Sequence, residues 1–447
     1  MHIVIIGNGV TGITCARHIR KYSDHKITVI SGETDHFFSR TALMYIYMGH
    51  MKYEHTKPYE DWFWAKNRIE LERAWIEKVD TGNKKIISSD GREFQYDKLV
   101  IASGSISNKF GWPGQDLPGV QGLYSYQDLE SLEDSTTNYK VDQAVIIGGG
   151  LIGIELAEML LTRNIPVSIL IREESYWDNA LPPGESAMIT RHILEHGIDL
   201  KMSTELKEIK AGSDGRASSI ITNTGEEIKC QLVGLTAGVS PNIKFIKDAG
   251  IEIKRGILVN EYLETNVEDV YAAGDCAQFH NPLPDRRPIE QVWYTGREQG
   301  LTLARTLTGD RTAYNPGPWF NSAKFLDIEW HTYGMVIPGL RDGEKSLYWE
   351  HKNGQICVHM VYRESDKQFI GINSMGIRYR HLVFDQFLRE NRSIEYVLEH
   401  LGAANFDPEF FKQYEVDVID AYNKQTGASL RTKSKKGLRS VLALLKR

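Results

Sequence analysis

Two copies of one glycine pattern constrain this chain more than any other feature. The first reads His2-Ile-Val-Ile-Ile-Gly7-Asn-Gly9-Val-Thr-Gly12 and runs into a helix to about residue 22, then a strand over 27–30. The second reads Ala144-Val-Ile-Ile-Gly148-Gly-Gly150-Leu-Ile-Gly153-Ile-Glu-Leu-Ala, followed by a strand over 167–171. Both spell G-x-G-x-x-G between an apolar strand and an apolar helix. Gly7 and Gly148 permit the tight turn off the strand, and Gly9 and Gly150 leave room for a pyrophosphate against the backbone. Gly12 and Gly153 let the helix pack close to the strand, so that its first amides point at the phosphates. One copy alone is weak evidence; two, 141 residues apart, predict two dinucleotide sites.

Composition bounds the rest. At 447 residues the chain exceeds the roughly 250 to 300 at which one hydrophobic core stops growing, so two or three domains are expected. A net charge of −6 argues against nucleic acid as a partner, which would call for a basic face. The four cysteines, Cys15, Cys230, Cys276 and Cys357, form no C-x-x-C, which disfavours a disulfide framework and a thiolate metal site. The longest apolar stretch, 144–154, is 11 residues with three glycines, short of the ~18 to 20 that span a bilayer, so no transmembrane segment is expected. His2–Ile6 reads directly as a strand with no basic leader, and a cytoplasmic location is expected.

Further apolar strands end in small residues. Tyr96-Asp-Lys-Leu-Val-Ile-Ala102-Ser103-Gly104 is one, a similar pattern closes at Gly238, and Val270-Tyr-Ala-Ala-Gly274-Asp275-Cys276-Ala277 delivers an acid beside a glycine. An aspartate held there can accept hydrogen bonds from a polyol, although many Gly-Asp pairs are only turns. With these motifs the chain resembles the two-dinucleotide flavoprotein reductases, the pyridine nucleotide-disulfide oxidoreductase superfamily. Within it the ferredoxin, rubredoxin and nitrite-reductase-like NAD(P)H reductases are nearest, over residues 1 to about 335.

The resemblance implies an α/β fold with two Rossmann-like, three-layer domains and an α+β C-terminal domain. It implies an FAD-dependent enzyme that passes hydride from NAD(P)H to FAD and electrons on to a protein carrier or small acceptor. The rival functions are direct oxygen reduction and a flavin-dependent redox sensor. Carried over, Gly7, Gly9 and Gly12 serve FAD, Asp275 holds its ribityl chain, and Gly148, Gly150 and Gly153 serve NAD(P)H. Ala102, Ser103 and Gly104 match the crossover between domains. The FAD domain is then discontinuous, 1–113 and 240–315, with the NAD(P)H domain at 114–239. Pro113-Gly114 and Ser240-Pro241 supply hinge chemistry. Pro318-Trp319-Phe320 opens the C-terminal domain, 316–430, which in the family carries a dimer interface or roofs the flavin, so a homodimer is a possible assembly.

Glu155 matches a family carboxylate beside the flavin, whose usual lysine partner is replaced here by Tyr45; a plain surface glutamate is the alternative. Arg40 resembles the arginine along the FAD pyrophosphate, and Glu33, 21 residues past Gly12, is the expected ribose ligand. At the second site Ile171 takes the strand-end slot, before Arg172-Glu173-Glu174. Arg172 could bind a 2′-phosphate that Glu173 would repel, so NADH against NADPH stays open with a lean to NADPH. Trp293 either begins a helix that meets the flavin edge or packs in the core with Leu301. Thr41 stands where thiol-dependent members hold a redox cysteine, which excludes disulfide-reductase and peroxidase chemistry.

Two segments lie outside this scheme. His192-Ile-Leu-Glu195-His196 spells H-x-x-E-H, but a third ligand is missing and no metal is expected. From residue 431 the chain carries Arg431, Lys433, Lys435, Lys436, Arg439, Lys446 and Arg447 and no acid. This basic tail, 431–447, reads as a solvated arm with a short docked helix at 438–445, as a recruiter of an acidic iron–sulfur carrier, or as a membrane-surface segment.

Overall fold

The computed structural model describes residues 1–407 and 409–433. It divides into two compact units, Met1–Arg172 with Ile198–Pro316, and Glu173–Gly197 with the chain from Gly317 onward.

The first unit holds two parallel five-stranded sheets, one for each glycine motif. The first runs Val270–Ala272, Lys98–Ile101, His2–Ile6, Lys26–Ser31, Ile69–Arg73, with the motif strand in the centre. The second runs Asp199–Lys201, Val167–Leu170, Ala144–Ile147, Leu232–Leu235, Val120–Gln121, again with the motif strand central. Apart from His2 at the start of the first, both motif strands are continuous apolar runs buried on both faces, as parallel sheets require. Each half also carries a three-stranded antiparallel meander, Ile76 to Gln95 in one and Leu206 to Lys229 in the other. The chain crosses between the halves on an antiparallel ribbon, Ser105–Ser107 against Val239–Pro241.

The helix Trp293–Leu307 lies along the motif helix Val10–Tyr22, and glycine permits the closeness. A Cβ on Gly300 would stand 2.6 Å from the Thr11 carbonyl oxygen, and one on Gly296 2.6 Å from its hydroxyl. Gly274, φ +79, meets the same hydroxyl at 2.5 Å.

In the second unit five antiparallel strands run in the order Phe320–Phe325, Ile328–Gly334, Phe369–Met375, Cys357–Arg363, Glu344–Glu350. Alternation sorts the two faces of this sheet. Val358, Met360, Tyr362 and Ile372 pack with Phe384, Val397 and Val418 from three helices. His359 and Asn373, on the intervening positions, meet the helix Pro183–Glu195 instead. From within the 114–239 segment, Glu173–Gly197 thus packs with the C-terminal sheet.

The reason is chemical. Glu185 is fully buried and accepts a hydrogen bond from Asn373 Nδ2 at 2.8 Å. His359 Nδ1 lies 2.9 Å from its other oxygen, close enough for an ion pair though not aligned as a hydrogen bond. Burial raises the Glu185 pKa, and His359 and Asn373 oppose that shift. Gly184 lets the helix approach, since a Cβ there would stand 2.7 Å from the Tyr348 ring.

The Gly300 contact predicts its own test. Gly300→Ala should destabilise the chain by about 1–3 kcal/mol through overpacking against the Thr11 backbone, despite the higher helix propensity of alanine. Denaturant unfolding checks this; a stabilised variant would show that the two helices separate without cost.

Candidate functional site

The two glycine motifs adopt the same geometry. Gly7 and Gly148 have φ of +109° and +110°, and a Cβ would stand 2.1 Å from Ala102 O at the first and 2.8 Å from Thr236 O at the second. Gly12 and Gly153 meet their own turns, 2.0 Å from Gly7 O and 2.2 Å from Gly148 O. Gly9 and Gly150 differ in kind: nothing lies within 4 Å of the Cβ position, and both backbones are extended. Glycine at the cap positions offers no capping side chain, and neither helix has an acid in its first turn. Each motif thus presents open space in front of helix amides, which suits a pyrophosphate.

Around the first motif the strand ends converge. Ala102 N donates to Ile6 O, Ser103 Oγ donates to Asn242 O at 2.7 Å, and Gly104 has φ +70. Gly238, φ +83, accepts from Asn108 N at the start of the crossover ribbon. Asp275 follows the strand Val270–Ala272, and its Oδ2 accepts from Ser105 Oγ at 3.0 Å and Tyr124 Oη at 3.1 Å. Burial raises the Asp275 carboxyl pKa, while those two hydrogen bonds and the Arg40 charge oppose it.

Glu33 and Arg40, expected at different groups of FAD, are joined to each other. The guanidinium grips both carboxylate oxygens at 2.7 and 2.6 Å, a bidentate pair, and also donates to Tyr124 O. Arg40 lies 4.5 Å from the Tyr124 ring centroid, and Tyr126 N donates to Glu33 Oε1 at 2.9 Å. One network therefore runs from Glu33 through Arg40 and Tyr124 to Asp275. Tyr124 and Tyr126 were not legible in the sequence, because no spacing rule places them and they reach the site only through the loop after Val120–Gln121.

At the second motif Ile171 is buried and Arg172 exposed at the end of the strand Val167–Leu170. Glu173 Oε1 accepts from Asn179 Nδ2 at 3.2 Å. Glu155 is half-buried in the second motif helix, Leu151–Thr162, against which the short helix Leu43–Tyr47, bearing Tyr45, packs. Trp293 is 40% exposed as the first residue of its helix, which overturns the core-aromatic alternative. All four cysteines are free, buried thiols, and burial pushes each above its ordinary pKa, Cys230 to about 12. Buried neutral thiols are poor nucleophiles.

Comparison with known proteins agrees with this architecture. Residues 1–300 match the family model described as pyridine nucleotide-disulphide oxidoreductase. The chain is 30% identical to the rhodocoxin reductase of Rhodococcus erythropolis over 336 residues, 73% of this chain and 76% of that protein. It is 32% identical to the NADH-rubredoxin oxidoreductase of Clostridium acetobutylicum over 314 residues, 70% of this chain and 76% of that one. The solved NAD-dependent persulfide reductase from A. fulgidus superposes with a TM-score of 0.82 at 22% identity, covering 96% of this chain and 84% of that one, a likeness of fold alone. With two paired glycine cradles and these relatives, the chain belongs to the pyridine nucleotide-disulphide oxidoreductase family and is an FAD-dependent NAD(P)H oxidoreductase.

Proposed function

We propose that this oxidoreductase delivers electrons to a small one-electron protein carrier of the ferredoxin or rubredoxin kind, without a redox-active thiol. The observation that carries the reading is the state of the cysteines: all four are buried, and Thr41 is exposed at the position where thiol-dependent members hold a cysteine. Two relatives carry rhodocoxin and rubredoxin in their names, which supports an iron-protein acceptor. FAD supplies the chemistry, taking two electrons from NAD(P)H and releasing them singly.

The chain's own part is to bind and orient. In this reading residues 1–113 and 240–315 hold FAD, and 114–172 with 198–239 hold the nicotinamide nucleotide. Gly7, Gly9 and Gly12 face the FAD pyrophosphate, Asp275 the ribityl hydroxyls, and the Glu33–Arg40 pair the adenosine end. Ala102, Ser103, Gly104 and Gly238 fix the crossover, and the uncrowded helix start at Trp293 favours negative charge on the reduced flavin. Gly148, Gly150 and Gly153 receive NAD(P)H, Glu155 lies at the flavin side of that site, and Arg172 and Glu173 read the ribose. Among the described residues no helix is long and apolar enough to cross a membrane, and we place the enzyme in the cytoplasm. Exposed Phe406, Phe410, Phe411 and Val416 on the C-terminal unit suit a homodimer contact.

Lys433 donates from its backbone and its ammonium to Glu399, at 2.7 and 2.6 Å. From residue 434 the basic tail, including the helix expected at 438–445, lies outside the described residues. In this reading the arm steers an acidic carrier.

Three measurements test these assignments. Gly9→Val and Gly150→Val meet open space and an allowed backbone, so apoprotein stability should hold within about 0.5 kcal/mol while FAD content falls in the first and NAD(P)H binding in the second. Unfolding of either variant at much lower denaturant would show the glycines to be structural. Arg172→Ala should weaken NADPH by about 1.5–3 kcal/mol and leave NADH unchanged; an equal effect on KM for both removes the 2′-phosphate role. Ending the chain after Leu430 should slow anaerobic reduction of an acidic iron–sulfur carrier several-fold at low salt, with the difference shrinking as the Debye length falls to about 3 Å near 1 M. Identical carrier rates at low salt sink the steering role, and faster turnover with oxygen than with any carrier sinks the carrier reading.

A further inference from the structure

Neither nucleotide site uses the H-x-x-E-H segment. His192 sits in the last turn of the helix Pro183–Glu195, and His196 is its C-terminal cap. The missing third ligand comes from 131 residues further along the chain. Asp327 occupies the tight turn between the strands Phe320–Phe325 and Ile328–Gly334, where Leu326 takes a φ of 56°. The fold of the second unit sets this turn against the helix end.

Asp327 Oδ1 lies 2.5 Å from His192 Nε2 and 3.7 Å from His196 Nε2. The two imidazole centroids are 4.4 Å apart, and one ligand atom from each of the three residues falls within a 4.8 Å span. Ligands around a tetrahedral ion at about 2.1 Å stand about 3.4 Å from one another. The His196 to Asp327 spacing is already close to that value, and the His192 to Asp327 spacing opens to it by a small side-chain rotation. Glu195 is exposed and is not one of the three, so the arrangement differs from a hydrolytic zinc site in which that glutamate serves as base.

The hydrogen bonds also favour a cation. His196 Nδ1 is 2.9 Å from the His192 carbonyl oxygen, which can only accept, so Nδ1 carries a hydrogen and in the neutral ring Nε2 carries the lone pair. That lone pair faces Asp327 Oδ1 at 3.7 Å, a spacing that a cation can bridge. A ring nitrogen fixed by a backbone carbonyl while the other faces the ion is the usual support of a metal-bound histidine. His192 is 1% exposed, and among the described residues its Nδ1 has no hydrogen-bond partner. Without an ion Nε2 donates to Asp327 Oδ1, and because Nδ1 is unclaimed the hydrogen can pass to it when a cation takes the Nε2 lone pair.

We propose that His192, His196 and Asp327 form a site for one divalent first-row transition-metal ion, best matched by zinc, which fastens the Glu173–Gly197 segment to the C-terminal sheet. Two imidazoles and a carboxylate suit zinc, cobalt, nickel or copper and disfavour calcium and magnesium, which take oxygen ligands. His196 and Asp327 keep side-chain exposures of 37% and 68%, so an ion enters from solvent and keeps water at its remaining position. The role is structural, because the site lies apart from both glycine cradles in sequence and in unit.

The test uses the full-length, FAD-loaded, tag-free protein, stripped with a chelator and titrated with Zn2+ alone by calorimetry, and with Co2+ alone by visible absorption. Wild type should bind a single equivalent of zinc and develop the intense d–d bands of low-symmetry cobalt. His196→Gln and Asp327→Asn should each weaken zinc by at least about tenfold and abolish the bands. Flavin content should be unchanged in both, and the metal-free melting temperature unchanged in His196→Gln, whose ring is exposed. His280→Gln, an exposed histidine beside Glu252, should leave affinity unaltered. Absence of saturable zinc binding by wild type, equal affinity in wild type and both site variants, or an equal loss in His280→Gln would overturn the proposal.

Discussion

The close approach at Thr11 holds together the half of the first unit that is built on the first glycine motif. Three glycines from two distant segments, Gly274, Gly296 and Gly300, close on this one residue at distances no Cβ tolerates, while Gly7 and Gly12 bring the preceding turn against Ala102 and against itself. The consequence is positional. The motif helix, the Asp275 turn and the helix Trp293–Leu307 share one buried point, so their ends open on the same side of the sheet where its strands finish. The middle glycines Gly9 and Gly150 are the exception in each motif, since nothing lies within 4 Å of where a Cβ would stand.

Charge is arranged on that frame as a continuous chain. Asp275 is held by Ser105 and Tyr124, Tyr124 lies under Arg40, and Arg40 closes on Glu33. A half-buried bidentate pair is costly to break on one side, because the partner left behind is an uncompensated charge. The network therefore fixes side chains that a flexible site would have to order on binding, and it leaves the chemistry to the cofactor. The thiols contribute nothing comparable, being neutral and enclosed.

The C-terminal unit shows the opposite balance between local signal and long-range contact. Its strands alternate cleanly, and the apolar positions find their helices as periodicity predicts. Yet His359 and Asn373, polar residues on the other face, draw Glu185 and with it a helix from 160 to 190 residues earlier in the chain. A buried carboxylate demands partners, and here they lie on strands that sequence order assigns to another domain.

The sequence alone determined the parts that depend on neighbours along the chain: the two strand-turn-helix cradles, the central motif strands, the Asp275 turn and the absence of a reactive thiol pair. Those features are local, set by φ above zero, by the missing Cβ and by continuous apolar runs, and each is written within about a dozen residues. Only the tertiary structure decided that Arg40 spends its fork on Glu33, that Tyr124 completes the Asp275 site, that Trp293 is exposed, and that Asp327 stands beside His192 and His196. Each of these joins groups across loops or between distant elements, where many pairings are sterically open and the packed fold selects one.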